Sequence, residues 1–215
     1  MRIKLKNYTH IIGILLVFWV LGVLLLSQIN KGEAIIYFTQ HRSSFYNVLF
    51  GSITQLAEFP VYAIVFALVW VSGRKEKAKA IMYAGLITIV VSFSLKTIFA
   101  QPRPLRYFEQ KHIVVKELVI NGLDVHSGFT SYPSGHSMGA FSLFVIIALL
   151  WANKKIFGIS CILLAIAVGI SRIYLAQHFL NDVMAGSMVG SYIACVAYFL
   201  IYKKNLKKKT KTNIA

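Results

Sequence analysis

The chain has 215 residues, 57% of them hydrophobic and 14% charged, with 23 Lys+Arg against 7 Asp+Glu and a formal charge of +16. Such hydrophobicity excludes a disordered tail, and two cysteines, Cys161 and Cys195, both inside apolar runs, exclude a disulfide-framed scaffold. Soluble domains carry about 25% charged residues, so the deficit, with a mean hydropathy of +0.67, points to lipid as the main solvent. The basic excess then has two readings: nucleic-acid binding, which clusters Lys/Arg on one folded face, or membrane topology, which puts them in the short loops of one side.

After a basic start, MRIKLKNY, the first apolar run covers 11–27. No small-residue cleavage site follows it, so it reads as a retained transmembrane helix rather than a signal peptide. Residues 29–58 mix Lys31, Glu33, His41 and Arg42 with aromatics, which predicts an amphipathic segment lying at the membrane surface. Further spans are predicted over 59–72, 80–100, 137–152, 156–175 and 180–202. They are separated by GRKEKAK, by a polar stretch over 101–133 that holds three of the four prolines, by NKK, and by a short break around AQHF. The expected architecture is an all-α bundle of six transmembrane helices, one membrane domain over 1–203 with a basic cytoplasmic tail over 204–215.

Six spans put both termini on one side. The termini and the 73–79 and 153–155 loops hold 15 of the 23 basic residues; the opposite side holds Lys31, Arg42, Lys96, Arg103, Arg106, Lys111, Lys116 and Arg172. The positive-inside rule therefore places the termini in the cytoplasm and the 29–58, 101–133 and 172–179 segments outside. The charge is then largely an orientation signal, and no nucleic-acid partner is expected. The short chain and this pattern suggest a bacterial inner membrane.

Ionisable groups at membrane depth are costly and tend to be functional. Lys96, Arg103, His136, Arg172, His178 and Asp182 all fall at the predicted outer ends of spans. Lys96, Arg103 and Arg172 are three cations without an acidic excess nearby, a set that repels itself unless it binds an anion. Arginine forks and a lysine point charge suit phosphate oxygens, and Ser134 and Gly135 open a helix whose free N–H groups favour an oxyanion. His178 and Asp182 are spaced i, i+4, so that on one helical face the carboxylate accepts the ring N–H. With His136 as a second imidazole, one histidine can attack phosphorus while the other protonates the leaving oxygen. The spacing favours His178 as the one that attacks.

These residues carry a resemblance. KTIFAQPRP over 96–104 is similar to the Kx6RP element of the type 2 phosphatidic acid phosphatase (PAP2) superfamily, PSGH over 133–136 to its second element, and SRIYLAQHFLND over 171–182 to its SRx5Hx3D element. The resemblance runs through motifs over about 90–195; the first two spans fit in number only. It implies a six-helix membrane fold and a metal-independent lipid phosphatase without a cofactor. It assigns Lys96, Arg103, Ser134, Gly135 and Arg172 to phosphate binding, His178 to the phosphohistidine nucleophile, Asp182 to its orientation and His136 to the general acid. Substrates of the class are lipid phosphates or diphosphates such as undecaprenyl diphosphate, phosphatidylglycerophosphate or phosphatidic acid, met in the bilayer. The rival reading is a non-catalytic phosphate- or phospholipid-binding or transport protein, which would keep the cations without needing His136, His178 and Asp182 together. A metal site at those three residues is disfavoured because the neighbouring cations would repel a divalent ion. Gly186 and Gly190 form a GxxxG that suits internal helix packing better than a dimer.

Overall fold

Helices that are apolar all round belong either in the middle of a bundle or against lipid, and a computed structural model sorts them. It describes residues 7–116, 118–120 and 125–212, with side chains through 201. All regular structure among the described residues is helical: α1 Thr9–Gln28, α2 Glu33–Gln40, α3 Ser44–Thr54, a 3-10 turn Gln55–Ala57, α4 Phe59–Val71, α5 Lys75–Phe99, α6 Pro104–Gln110, α7 Gly135–Leu150, α8 Lys155–Tyr174 and α9 Leu180–Thr212.

Four stretches are long and apolar enough to cross a membrane: Thr9–Gln28, Lys75–Gln110, Lys155–Tyr174 and Leu180–Ile201. A fifth crossing is the pair Ser44–Ala57 and Phe59–Val71, bent by 56°. The sixth, α7, has 16 residues, about 24 Å at 1.5 Å per residue against a hydrocarbon core of about 30 Å. It can be short because it meets little lipid: twelve of its residues are buried, and it packs against α5, α8 and α9. The second span differs from expectation in a way length explains. The 13 residues of α4 reach only about 20 Å, and α3 supplies the rest, so 44–57 packs on α8 instead of lying as a surface segment. The break between α3 and α4 is irregular backbone at membrane depth, tolerated where it lines a protein site, and Pro60 opens α4 without loss of a helical hydrogen bond.

Other boundaries also shift. The third span starts at Lys75 rather than 80, because Lys79 pairs with Glu76 at 2.8 Å and Lys77 Nζ donates to the Leu150 carbonyl at 2.7 Å. The polar 101–133 stretch contains α6, and α9 continues as helix to Thr212. The basic side chains of 1–6 and 202–215, counted above for topology, lie outside the described residues.

The α7–α9 seam is held by small residues. A Cβ on Gly186 would stand 2.5 Å from the Ser134 carbonyl, and one on Gly190 would strike the Met138 carbonyl. The GxxxG face is thus filled from within the chain, as expected. Buried hydroxyls tie neighbouring helices, Thr88 to Ser142 at 2.8 Å and Tyr62 to the Gly139 carbonyl at 3.2 Å, the kind of bond that links helices in lipid. On the outside, Val17 of α1, Val71 of α4 and Phe93 of α5 are exposed, part of an apolar belt that lipid would cover. At one end of the bundle Tyr8 meets Tyr198 and Lys77 caps α7. The motif residues gather at the other end.

Candidate active site

Two helix ends deliver the third motif. α8 stops in a Schellman arrangement: Gln177 N–H reaches back to the Arg172 carbonyl at 3.0 Å and Ala176 N–H to the Ile173 carbonyl at 3.0 Å, with Ala176 at φ 53° in the left-handed position. His178 N–H shares the Arg172 carbonyl at 3.2 Å, so Arg172 and His178 are locked to one turn. His178 therefore precedes α9 instead of lying on it, which corrects the expectation of a shared helical face. The histidine and Asp182 still meet, because Asp182 is the third residue of α9. There its Oδ2 accepts from Phe179 N–H at 3.0 Å, half of a capping box, and from Ser131 Oγ at 2.5 Å. Oδ2 lies 3.7 Å from His178 Nδ1, an ion-pair distance rather than a closed hydrogen bond. His178 Nδ1 and Asp182 Oδ1 are buried without hydrogen-bond partners among the described residues. Looseness of this kind is common in resting active sites, where catalytic hydrogen bonds tighten once substrate is bound.

The first motif is placed by the end of α5. Ala100 takes a left-handed conformation, φ 40°, and the chain turns through Pro102 to Arg103, whose N–H binds the Gly128 carbonyl at 2.8 Å. Pro104 at the first position of α6 fits the helix start. The Arg103 guanidinium donates to Thr130 Oγ1 at 3.1 Å and to Gln177 Oε1 at 3.0 Å. Arg172 donates to Thr54 Oγ1 at 2.7 Å. Both arginines are only 6% exposed, and neither has a carboxylate within 4.0 Å among the described residues. A buried guanidinium bonded only to neutral oxygens is unstable unless an anion completes it.

The second motif supplies the floor. Ser134 caps α7 by accepting from Ser137 N–H at 3.3 Å, and its own N–H is held by the Asp182 carbonyl at 3.0 Å. The backbone of the Asp182 turn is thereby fixed to the α7 start. A Cβ on Gly135 would lie 3.1 Å from Lys96 Nζ and 3.2 Å from Ser92 Oγ, so the missing side chain lets Lys96 reach the helix N-terminus. His178 lies in the field of Lys96, Arg103, Arg172 and His136, and His136 in that of Arg172 and Lys96. All eight residues singled out from the sequence therefore converge on one end of the bundle.

Five neighbours were not singled out. Thr130 and Gln177 hold Arg103 and Ser131 holds Asp182 in place, while Thr54, which holds Arg172, and Glu58 come from the break between α3 and α4. Glu58 Oε1 is 2.8 Å from His136 Nε2. Its signal was readable: an acid at the foot of an apolar run is the same anomaly that marks Lys96. Below His136 and Lys96 a cavity of about 550 Å³ runs between α4, α5 and α7, lined by Phe59, Tyr62, Phe66, Leu86, Ile89 and Phe93 among others. It is an apolar cleft with the cationic site at its head.

Comparison with known proteins agrees with this geometry. The model of the PAP2 superfamily matches residues 77–206. The chain is 29% identical over 166 residues to the undecaprenyl-diphosphatase BcrC of Bacillus subtilis, covering 76% of this chain and 77% of that one. Over 74 residues it is 40% identical to phosphatidylglycerophosphatase B of the same organism, covering 31% of this chain and 36% of the relative. Among solved structures it is similar to LpxE of Aquifex aeolicus, with a TM-score of 0.65 and 26% identity, over 78% of this chain and 94% of that one. Fold, motif residues and relatives agree, and the chain belongs to the PAP2 superfamily as a multi-pass membrane phosphatase.

Proposed function

We propose that the protein hydrolyses a lipid phosphate or diphosphate through a phosphohistidine on His178, at the face of the membrane opposite its basic loops. The observation that supports this most is the pair of buried arginines, Arg103 and Arg172, held by neutral oxygens around a buried His–Asp pair. In this reading Nδ1 of His178 turns toward Asp182, and Nε2 attacks phosphorus. The N–P bond forms as the bond to the leaving oxygen breaks, and His136 gives that oxygen its proton. Water then attacks the phosphohistidine with His136 as base, releasing inorganic phosphate and regenerating His178. Lys96, Arg103, Arg172 and the N–H groups of Gly135 and His136 balance the charge on the equatorial oxygens, which is where catalysis of phosphoryl transfer chiefly acts. Ser134 acts through its cap, holding those N–H groups in place.

The apolar cleft under His136 suits the lipid tail, which places the leaving oxygen beside the acid. Similarity to an undecaprenyl-diphosphatase over three quarters of both chains supports a diphosphate of a long isoprenoid as the first substrate to test, with phosphatidylglycerophosphate and phosphatidic acid next. We read 1–203 as one membrane domain with both termini in the cytoplasm and the site facing outward. Purified protein is expected to release phosphate from at least one of these lipids in excess EDTA and to form an acid-labile, base-stable phosphoprotein. His178→Ala should abolish both; full activity in that variant overturns the mechanism, and strict dependence on added metal overturns the proposed charge balance.

A further inference from the structure

His136 is an unusual place for an acid. It must hold a proton while Arg172 faces it from α8, Lys96 from α5 and His178 from the turn before α9. Among the described residues the one acidic group against it is Glu58, at the break before α4, with Oε1 2.8 Å from Nε2. The same short segment holds Arg172 through Thr54, so 54–58 touches both a phosphate-binding cation and the proposed acid. Glu58 is half-exposed and opens onto a hollow of about 180 Å³ of mixed lining, shared with Thr54, His136 and Arg172 and with apolar Val125 and Leu175. His136 also borders the apolar cleft on its other side. Its ring thus stands between the apolar cleft and this mixed hollow, with Glu58 on the side of the hollow.

We infer that Glu58 is a positioning residue for His136, resting on the hydrolase reading above: its carboxylate orients the ring and supplies the counter-charge that keeps a proton available for the leaving oxygen. A hydrogen-bonded carboxylate behind a histidine fixes the tautomer and ring direction. It does for the acid what Asp182 does for the nucleophile. In the forward step the proton passes from the imidazolium to the departing lipid oxygen, leaving neutral His136 with Nε2 toward Glu58. In the second step the ring takes a proton from the attacking water and is recharged, so Glu58 gains and loses nothing overall.

The test separates proton donation from general damage by changing the leaving group. A lipid monophosphate such as phosphatidic acid expels an alkoxide that needs protonation as the P–O bond breaks, whereas 4-nitrophenyl phosphate leaves as a stabilised phenolate. General-acid catalysis contributes about 10²–10⁴-fold, so Glu58→Gln should lower kcat/KM for the lipid roughly ten- to hundredfold while changing it by less than about threefold for 4-nitrophenyl phosphate. Glu58→Asp should recover part of the loss. In a His136→Ala background, Glu58→Gln should add almost nothing, because the two act as a unit. Equal losses on both substrates, an undiminished or raised lipid rate, or full additivity with His136→Ala would each overturn the inference. Failure of the underlying reading shows differently: the wild-type chain releases no phosphate from any lipid, and both fall together.

Discussion

Asp182 shows how much one side chain can be asked to do. Its Oδ2 closes the start of α9 by accepting from Phe179 N–H, accepts from Ser131, and faces His178, while its carbonyl fixes Ser134. Removing one of these supports should be felt at the nucleophile. Ser131→Ala is expected to reduce kcat roughly tenfold, as supporting hydrogen bonds to a catalytic group typically do, with little change in KM; Asp182→Asn should cost more, about 10²- to 10⁴-fold, because the amide presents the wrong partner to Nδ1. An unaltered kcat in Ser131→Ala would show that Oδ2 is held by the helix start alone. Arg172→Lys tests the other half of the site. It keeps the charge but loses the planar fork that reaches Thr54, and should lower kcat/KM about 10²-fold. Six of the eight motif residues were legible because ionisable groups in an apolar chain are conspicuous, and Ser134 and Gly135 because they stand in the PSGH element that opens α7. Ser131, Thr130 and Gln177 were not, since small polar residues in a polar stretch carry no contrast until the fold shows which charged group each one touches.

At the scale of elements, the α7–α9 seam decides whether the site exists. Backbone carbonyls of Ser134 and Met138 occupy the space where side chains on Gly186 and Gly190 would be. Gly190→Ala should force the helices apart at a cost of about 1–3 kcal/mol, read as a lower Tm in detergent. Gly186→Ala should lower Tm similarly and also activity, because it displaces the carbonyl of Ser134, whose N–H binds the Asp182 turn. Equal retention of activity in the two variants would count against a coupling between seam and site. Helix number was legible from apolar runs, and helix ends were less so. The run over 59–72 was too short to cross alone, and its continuation through α3 was hidden by the aromatic and polar residues that pack on α8. Charged turns at the start of α5 were read as loop because their local pairing, Glu76 with Lys79 and Lys77 with the end of α7, is invisible in composition.

For the whole molecule, α5 begins at the Lys77 end and finishes beside Lys96 at the motif end, so the two lie at opposite ends of the bundle. A cysteine replacing Val114, 92% exposed near the motif end, should react with an impermeant maleimide in intact cells, and one replacing Lys154 only after permeabilisation. The reverse pattern would invert the proposed orientation. The formal charge of +16 carries the proposed direction, and three of its members, Lys96, Arg103 and Arg172, the proposed phosphate site. What could not be read was where the substrate comes from. Under the proposed function the cleft between α4 and α5 is the route of entry: Phe59, Leu86, Ile89 and Phe93 line it and are themselves exposed on the apolar belt. A molecule entering there diffuses in two dimensions and never passes through water. Turnover in mixed micelles should accordingly follow the mole fraction of substrate in the amphiphile, falling on surface dilution with inert detergent even when its bulk concentration is held constant.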